Sequence, residues 1–338
     1  MNEMRLHDPE AFAGRVEIRT IESSLLKGNP LGDPHRRDVP VYVPPGEARD
    51  LPVVFVLTGY TGRGQSLLES HPWKASVALQ YDRLVATDKA PPVLLVFPDC
   101  FTRLGGSQYV NSSAVGLYED HVVEDLVPFV DAHWSTQSGG RGVCGKSSGG
   151  FGALHLGMHH PDTFHAVASI SGDCAFEHGY AHDFLPACRG LLEHGGDPQA
   201  FLTKFETDHK LKGDGHAVIS LLAMAACYSP NPIAPLGFDL PVNLETGERI
   251  KDVWDRWLRF DPVVAAAAHV DALKSLKLLH LEAGKRDEFH LQFGLRILVR
   301  KLKELGVPHV HEEFEGGHFD INHRYLGVIP KLVEALRG

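Results

Sequence analysis

Cysteine is scarce in this chain: five in 338 residues, at Cys100, Cys144, Cys174, Cys188 and Cys227, with no Cys-x-x-Cys pair. So sparse and odd a set argues against a disulfide framework and for reduced thiols in a cytoplasmic setting. Positive charge is also short. Thirty-three Lys and Arg face 43 Asp and Glu, a formal net charge of -10, and a nucleic-acid partner would need clustered cations instead. Long apolar runs are missing as well. The longest mild candidate, 263–270, is short and interrupted by His269, so no membrane span is expected. The stretch 1–8 carries acids and no apolar core, which does not read as a signal peptide.

What is present is an ordinary soluble composition, 43% hydrophobic and 22% charged, in a chain long enough for one large domain with an insertion. Strand-like apolar runs alternate with amphipathic stretches, the pattern of an α/β fold with a mostly parallel sheet flanked by helices. The runs are 16–21, 39–43, 51–57, 93–97, 141–144, 164–170, 276–281 and 309–314. Leu51 to Leu57 (LPVVFVL) is continuously apolar, as a central strand buried on both faces should be. Helices are expected over 118–134, 151–160, 288–305 and 324–336. Between Cys174 and Phe260 the rhythm breaks into a His-, Pro- and Gly-rich stretch without a clear buried strand. The expected organisation is a core over 1–173 and 261–338, with a largely helical insertion or cap over 174–260.

Gly145-Lys146-Ser147-Ser148-Gly149 fits G-x-S-x-G, and it joins a short apolar strand to a helix-like stretch. That context makes Ser147 the candidate nucleophile, because a tight turn between small residues pushes its hydroxyl into the open. A bare small-residue loop would give the same letters without the context. Ser148 is a rival hydroxyl, but the glycines flank Ser147, and Ser148 is better placed as a backbone N–H donor to an oxyanion. The second donor is expected from Thr58-Gly59-Tyr60-Thr61-Gly62 after the LPVVFVL run, at Tyr60, with Thr61 next.

A serine needs a base and an orienting acid. In the chain order Ser, acid, His, the acid should follow the penultimate strand, where Asp287 stands, with Glu288 and Glu282 as fallbacks. The base should follow the last strand, where Glu315-Gly316-Gly317-His318 places His318, ahead of His323 and His311. These residues together imply attack on an acyl carbonyl. A catalytically dead binding protein would usually lack one of the three.

Other features favour structure. His155 and His159 are four apart and could share a metal, but no acid or third ligand is placed with them, and no metal or cofactor is expected. Trp254, Trp257 and Phe260 are spaced as a helix stripe. Packing is their first use, and lining an aromatic or acyl pocket their second.

Taken with Tyr109-Val110-Asn111-Ser112, Gly28-Asn29-Pro30-Leu31-Gly32-Asp33-Pro34, Gly284-Lys285-Arg286-Asp287-Glu288-Phe289 and Gly316-Gly317-His318, these motifs resemble the esterase D-like family of α/β-hydrolases. That family includes S-formylglutathione hydrolases, feruloyl and enterochelin esterases and antigen 85 mycolyltransferases. The resemblance implies an α/β-hydrolase fold and a serine carboxylesterase with Ser147, Asp287 and His318 as its triad. The Tyr60 and Ser148 amides would form its oxyanion hole, and Asn111, Trp254 and Trp257 become candidate substrate contacts. It implies a small-molecule ester as partner, hydrolysed through an acyl-enzyme, with transfer to an alcohol or thioester hydrolysis as alternatives and a homo-oligomer compatible. Gly62 stands where S-formylglutathione hydrolases carry a cysteine, and the insertion is longer than theirs, which argues against a glutathione thioester.

Overall fold

The computed structural model describes residues 12–47, 49–69, 74–208 and 210–338. The N-terminal stretch read above as no signal peptide lies outside them.

Ten strands are described: β1 (Arg15–Glu22), β2 (Arg36–Val43), β3 (Leu51–Leu57), β4 (Leu94–Val96), β5 (Asn111–Ser112), β6 (Gly116–Leu117), β7 (Thr136–Lys146), β8 (Ala166–Ile170), β9 (Leu278–Gly284) and β10 (Val310–Phe314). Eight of them form one sheet in the order β1-β2-β4-β3-β7-β8-β9-β10, and β5 and β6 pair separately. β1 and β2 are antiparallel to their neighbours, and every pair from β4 to β10 is parallel. The mostly parallel sheet expected from the sequence is therefore present.

The LPVVFVL run shows why the centre is apolar throughout. Val53, Phe55 and Leu57 point into one core and Val54 and Val56 into the other, all essentially unexposed. Successive side chains of a strand face opposite sides, so a strand covered on both faces cannot alternate with polar residues. The helix Tyr325–Arg337 and the helix Val77–Ala86, which pattern alone does not reveal, contribute to the second core. The helix Ser148–His159 and the helix Leu291–Glu304 contribute to the first. The helix expected from Tyr118 runs to His133, with its middle, His121–Leu126, wound as a π turn.

Between β8 and β9 the chain is helical, with Phe184–Leu192, Pro198–Phe205, Gly215–Tyr228 and Lys251–Leu258 the longest segments. Phe184, Leu191, Leu222 and Trp257 of this stretch join the same apolar cluster as β3 and the Ser148–His159 helix. Gly215–Tyr228 is apolar nearly all round because most of it is buried. No described helix is long and apolar enough to cross a membrane.

Candidate active site

β7 delivers Lys146 to the sheet's C-terminal edge, and Ser147 follows with φ 57° and ψ -127°. Such a backbone is costly for a residue with a side chain and persists only where its surroundings enforce it. They do. The Ser147 N–H donates to the Ile170 carbonyl at 3.0 Å, and the helix Ser148–His159 begins at the next residue. The flanking glycines are required by contact: a Cβ on Gly149 would lie 2.4 Å from the Leu57 carbonyl oxygen, and one on Gly145 2.2 Å from that of Gly149.

Asp287 leaves the sheet three residues after β9, and His318 four after β10. Their loops are laced together by backbone hydrogen bonds from Lys285 to Phe314 and from Arg286 to Gly316, each 2.9 Å. A Cβ on Gly284 would meet the Gly317 carbonyl oxygen at 2.6 Å, so small residues let the loops touch. His318 Nδ1 lies 2.9 Å from Asp287 Oδ2, with both residues buried. The other Asp287 oxygen accepts from the Phe289 N–H at 3.0 Å. Burial opposes ionisation of Asp287, but hydrogen bonds from His318, Ser171 and the Phe289 amide outweigh it and hold the carboxyl below its ordinary range.

Ser147 and His318 line one cavity of about 700 Å³, together with Tyr60, Leu67, Phe289 and Phe319. No hydrogen bond joins the serine hydroxyl to the imidazole among the described residues, and the imidazole's side-chain partner is Asp287. A smaller recess of about 100 Å³ continues past Ser147 and is lined by Asp173, Phe176, Met224 and Leu291. Asp173 accepts from the Tyr180 hydroxyl at 2.8 Å and the Ser148 hydroxyl at 3.1 Å. Burial raises its pKa.

The turn after β3 passes beside the serine: a Cβ on Gly59 would sit 3.2 Å from that of Ser147. The Thr61 N–H is already given to the Gly105 carbonyl at 2.8 Å. The Tyr60 and Ser148 N–H groups have no such acceptor among the described residues. Tyr60 is tethered at its other end, its hydroxyl donating to the Leu104 carbonyl at 2.7 Å.

The structure therefore gathers Ser147, His318, Asp287, Tyr60 and Ser148 at one sheet edge. It does not bring Asn111, Trp254 or Trp257 there. Asn111 is held 2.7 Å from Asp120 Oδ1, and its own Oδ1 accepts the Asp120 N–H, so its amide is spent on fastening a helix start. Trp257 is fully buried with its indole N–H on the Ser229 hydroxyl at 2.8 Å, and Trp254 donates to Glu177 at 2.7 Å. Neither lines the cavity, so packing accounts for both.

Among the fallbacks, Glu282 is buried on β9 and bound to Arg324 at 2.7 Å. Glu288 accepts the His318 backbone N–H at 2.5 Å. His323 is exposed, and His311 lies on β10, 3.7 Å from Glu313. Sequence reasoning missed two contributors, Ser171 on Asp287 and Glu288 as the brace of the His318 loop. Ser171 directly follows β8, and its φ of 43° has no signature in the sequence.

Comparison with known proteins gives the family and the fold. The family model described as "Putative esterase" matches residues 34–320. No curated protein sequence matches. Among solved structures, a ferulic acid esterase superposes with TM-score 0.60 at 18% identity, over 96% of this chain and 99% of that one. The fluorophosphonate-binding serine hydrolase F of Staphylococcus aureus gives 0.57 at 14% identity, over 96% and 99%. An S-formylglutathione hydrolase from Agrobacterium tumefaciens gives 0.56 at 16%, over 96% of each chain. At these identities the likeness establishes the fold.

The chain belongs to the esterase family and, by that membership, is an ester-hydrolysing enzyme.

Proposed function

We propose that this esterase is a serine carboxylesterase that works through an acyl-enzyme, with Ser147 as nucleophile, His318 as base and Asp287 as the acid that orients it. The observation that carries the reading is the Asp287–His318 pair at 2.9 Å, opening onto the cavity that also holds the strained Ser147. An imidazole whose Nδ1–H is engaged by a carboxylate presents a bare Nε2 to the serine proton. Ser147 attacks the ester carbonyl as His318 takes its proton. The tetrahedral oxyanion is received by the Tyr60 and Ser148 N–H groups, which have no other acceptor among the described residues, and this supports the role. His318 then protonates the departing alcohol, and water activated by the same imidazole frees the acid.

The cavity wall of Leu67, Phe289 and Phe319 supports an apolar or aryl ester of small size as substrate. The segment 174–260 acts as the cap, since its Ser220 and Tyr180 reach the cavity and the recess beside the serine. Five buried free thiols support a cytoplasmic enzyme. Labelling with a fluorophosphonate tests the reading: modification in wild type and none in Ser147→Ala is the expected result. Folded wild type that resists the reagent would sink it. Acyl transfer to an alcohol uses the same groups, and product analysis with an added acceptor alcohol separates it from hydrolysis.

A further inference from the structure

The helix that begins at the nucleophile carries a second set of chemical groups at its other end, about 18 Å away at 1.5 Å per residue. His155 and His159 are one turn apart on it, their rings 4.1 Å between centroids. The acid that the sequence does not place with them comes from the start of the Tyr118–His133 helix. Glu119 Oε2 lies 2.9 Å from His155 Nε2, and Glu119 Oε1 lies 2.8 Å from His160 Nε2. One ligand atom each from Glu119, His155 and His159 falls within 4.8 Å of the others.

The hydrogen bonds around this cluster resemble those that prepare metal ligands. His159 Nδ1 faces the His155 carbonyl oxygen at 2.9 Å, a contact only an N–H can make, so its Nε2 keeps a lone pair. In the neutral ring that leaves Nε2 free to ligate. His160 engages the carboxylate oxygen that His155 does not, as an outer partner orients a ligating carboxylate. His155 is buried, Glu119 half-buried and His159 exposed, which leaves an entry path from solvent.

We propose that Glu119, His155 and His159 form a binding site for a divalent cation of the zinc class, held by two imidazole Nε2 atoms and one carboxylate oxygen with solvent in the fourth position. Two nitrogens and one oxygen suit zinc, whose bonds to them run about 2.0–2.2 Å. On binding, His155 exchanges its Nε2–H contact with Glu119 for the metal bond and carries its proton on Nδ1. The ion ties the far end of the nucleophile helix to the Tyr118–His133 helix, so it braces the platform under Ser147 and takes no part in the chemistry there.

The experiment is a calorimetric titration of the EDTA-treated, dialysed full-length protein with Zn2+, beside His159→Gln and Glu119→Gln. Wild type should bind one Zn2+ per chain, and either variant should lose about tenfold or more in affinity. A zinc-dependent rise in melting temperature should be present in wild type and absent in His159→Gln, whose exposed position spares the fold. Absence of saturable one-to-one binding in wild type overturns the proposal. So does one-to-one binding that His159→Gln leaves unchanged, because the ion then sits elsewhere among the 21 histidines.

Discussion

Asp287 Oδ2 and His318 Nδ1 stand 2.9 Å apart at the meeting of two loops that leave neighbouring strands, β9 and β10. The pair is buried, and a second acid, Glu288, holds the histidine's backbone N–H rather than its ring. The two carboxylates thus have separate tasks, one on the imidazole and one on the loop. Asp287→Asn should keep the fold and lower kcat by about 10³- to 10⁴-fold with little change in KM, because the imidazole loses its preferred tautomer. Steady-state kinetics on a p-nitrophenyl ester checks this. A loss under tenfold would move the orienting role away from Asp287.

The turn at Ser147 rests on backbone contact as much as on hydrogen bonding. A methyl group on Gly149 would stand 2.4 Å from the Leu57 carbonyl oxygen and 2.8 Å from that of Thr58, both fixed in or beside the central strand. Neither can yield without moving β3. Gly149→Ala should therefore cost about 3 kcal/mol or more. Urea denaturation would read it as a lowered midpoint, and an unchanged midpoint would show that the turn relaxes after all.

How much of this was legible beforehand follows from the range of the interactions. Buried parallel strands announce themselves locally, since both faces must be apolar, and LPVVFVL shows this within seven residues. Ser147, Asp287 and His318 can be singled out as candidates because each stands one to four residues past the end of a strand, so topology does the long-range work. Partners that depend on three-dimensional proximity were not readable. Glu119 meets His155 and His160 across 36 and 41 residues, and no spacing rule links them. Asn111 and the two tryptophans misled for a related reason. Their types suit a pocket, but only the fold reveals that Asp120, Glu177 and Ser229 already occupy their polar atoms.

Trp257 allows packing and substrate contact to be separated directly. It is fully buried, its indole N–H is bonded to Ser229, and it packs against Tyr180, Phe184 and Tyr228. Trp257→Phe should lower the melting temperature, because the smaller ring leaves a void and removes the indole's hydrogen bond to the Ser229 hydroxyl. Its kcat/KM at 25 °C should stay within about threefold of wild type, roughly 0.6 kcal/mol of barrier. A selective loss on aryl esters with no loss of stability would return the residue to the binding site.

Asp173 should contribute to the pH dependence of stability. It is buried beside the nucleophile, its donors are hydroxyls and an amide, and no Lys or Arg pairs with it among the described residues. Burial is the leading cause of its raised pKa, and the hydrogen bonds from Tyr180 and Ser148 only partly offset it. The sign follows by linkage. A carboxyl whose folded pKa lies above its unfolded value binds protons more tightly when folded, so its ionisation weakens the fold. That penalty is absent below the unfolded pKa and is complete once the pH has risen through the folded one. Asn supplies an oxygen for both hydroxyls without the charge. Asp173→Asn should therefore match wild type near pH 3.5 and exceed it at pH 7. A gain of about 1 kcal/mol would appear as roughly 1–2 °C in Tm for a chain of this size. Thermal melts of both proteins across this pH range test it, and a gap that is constant or reversed would mean the charge is compensated in the fold.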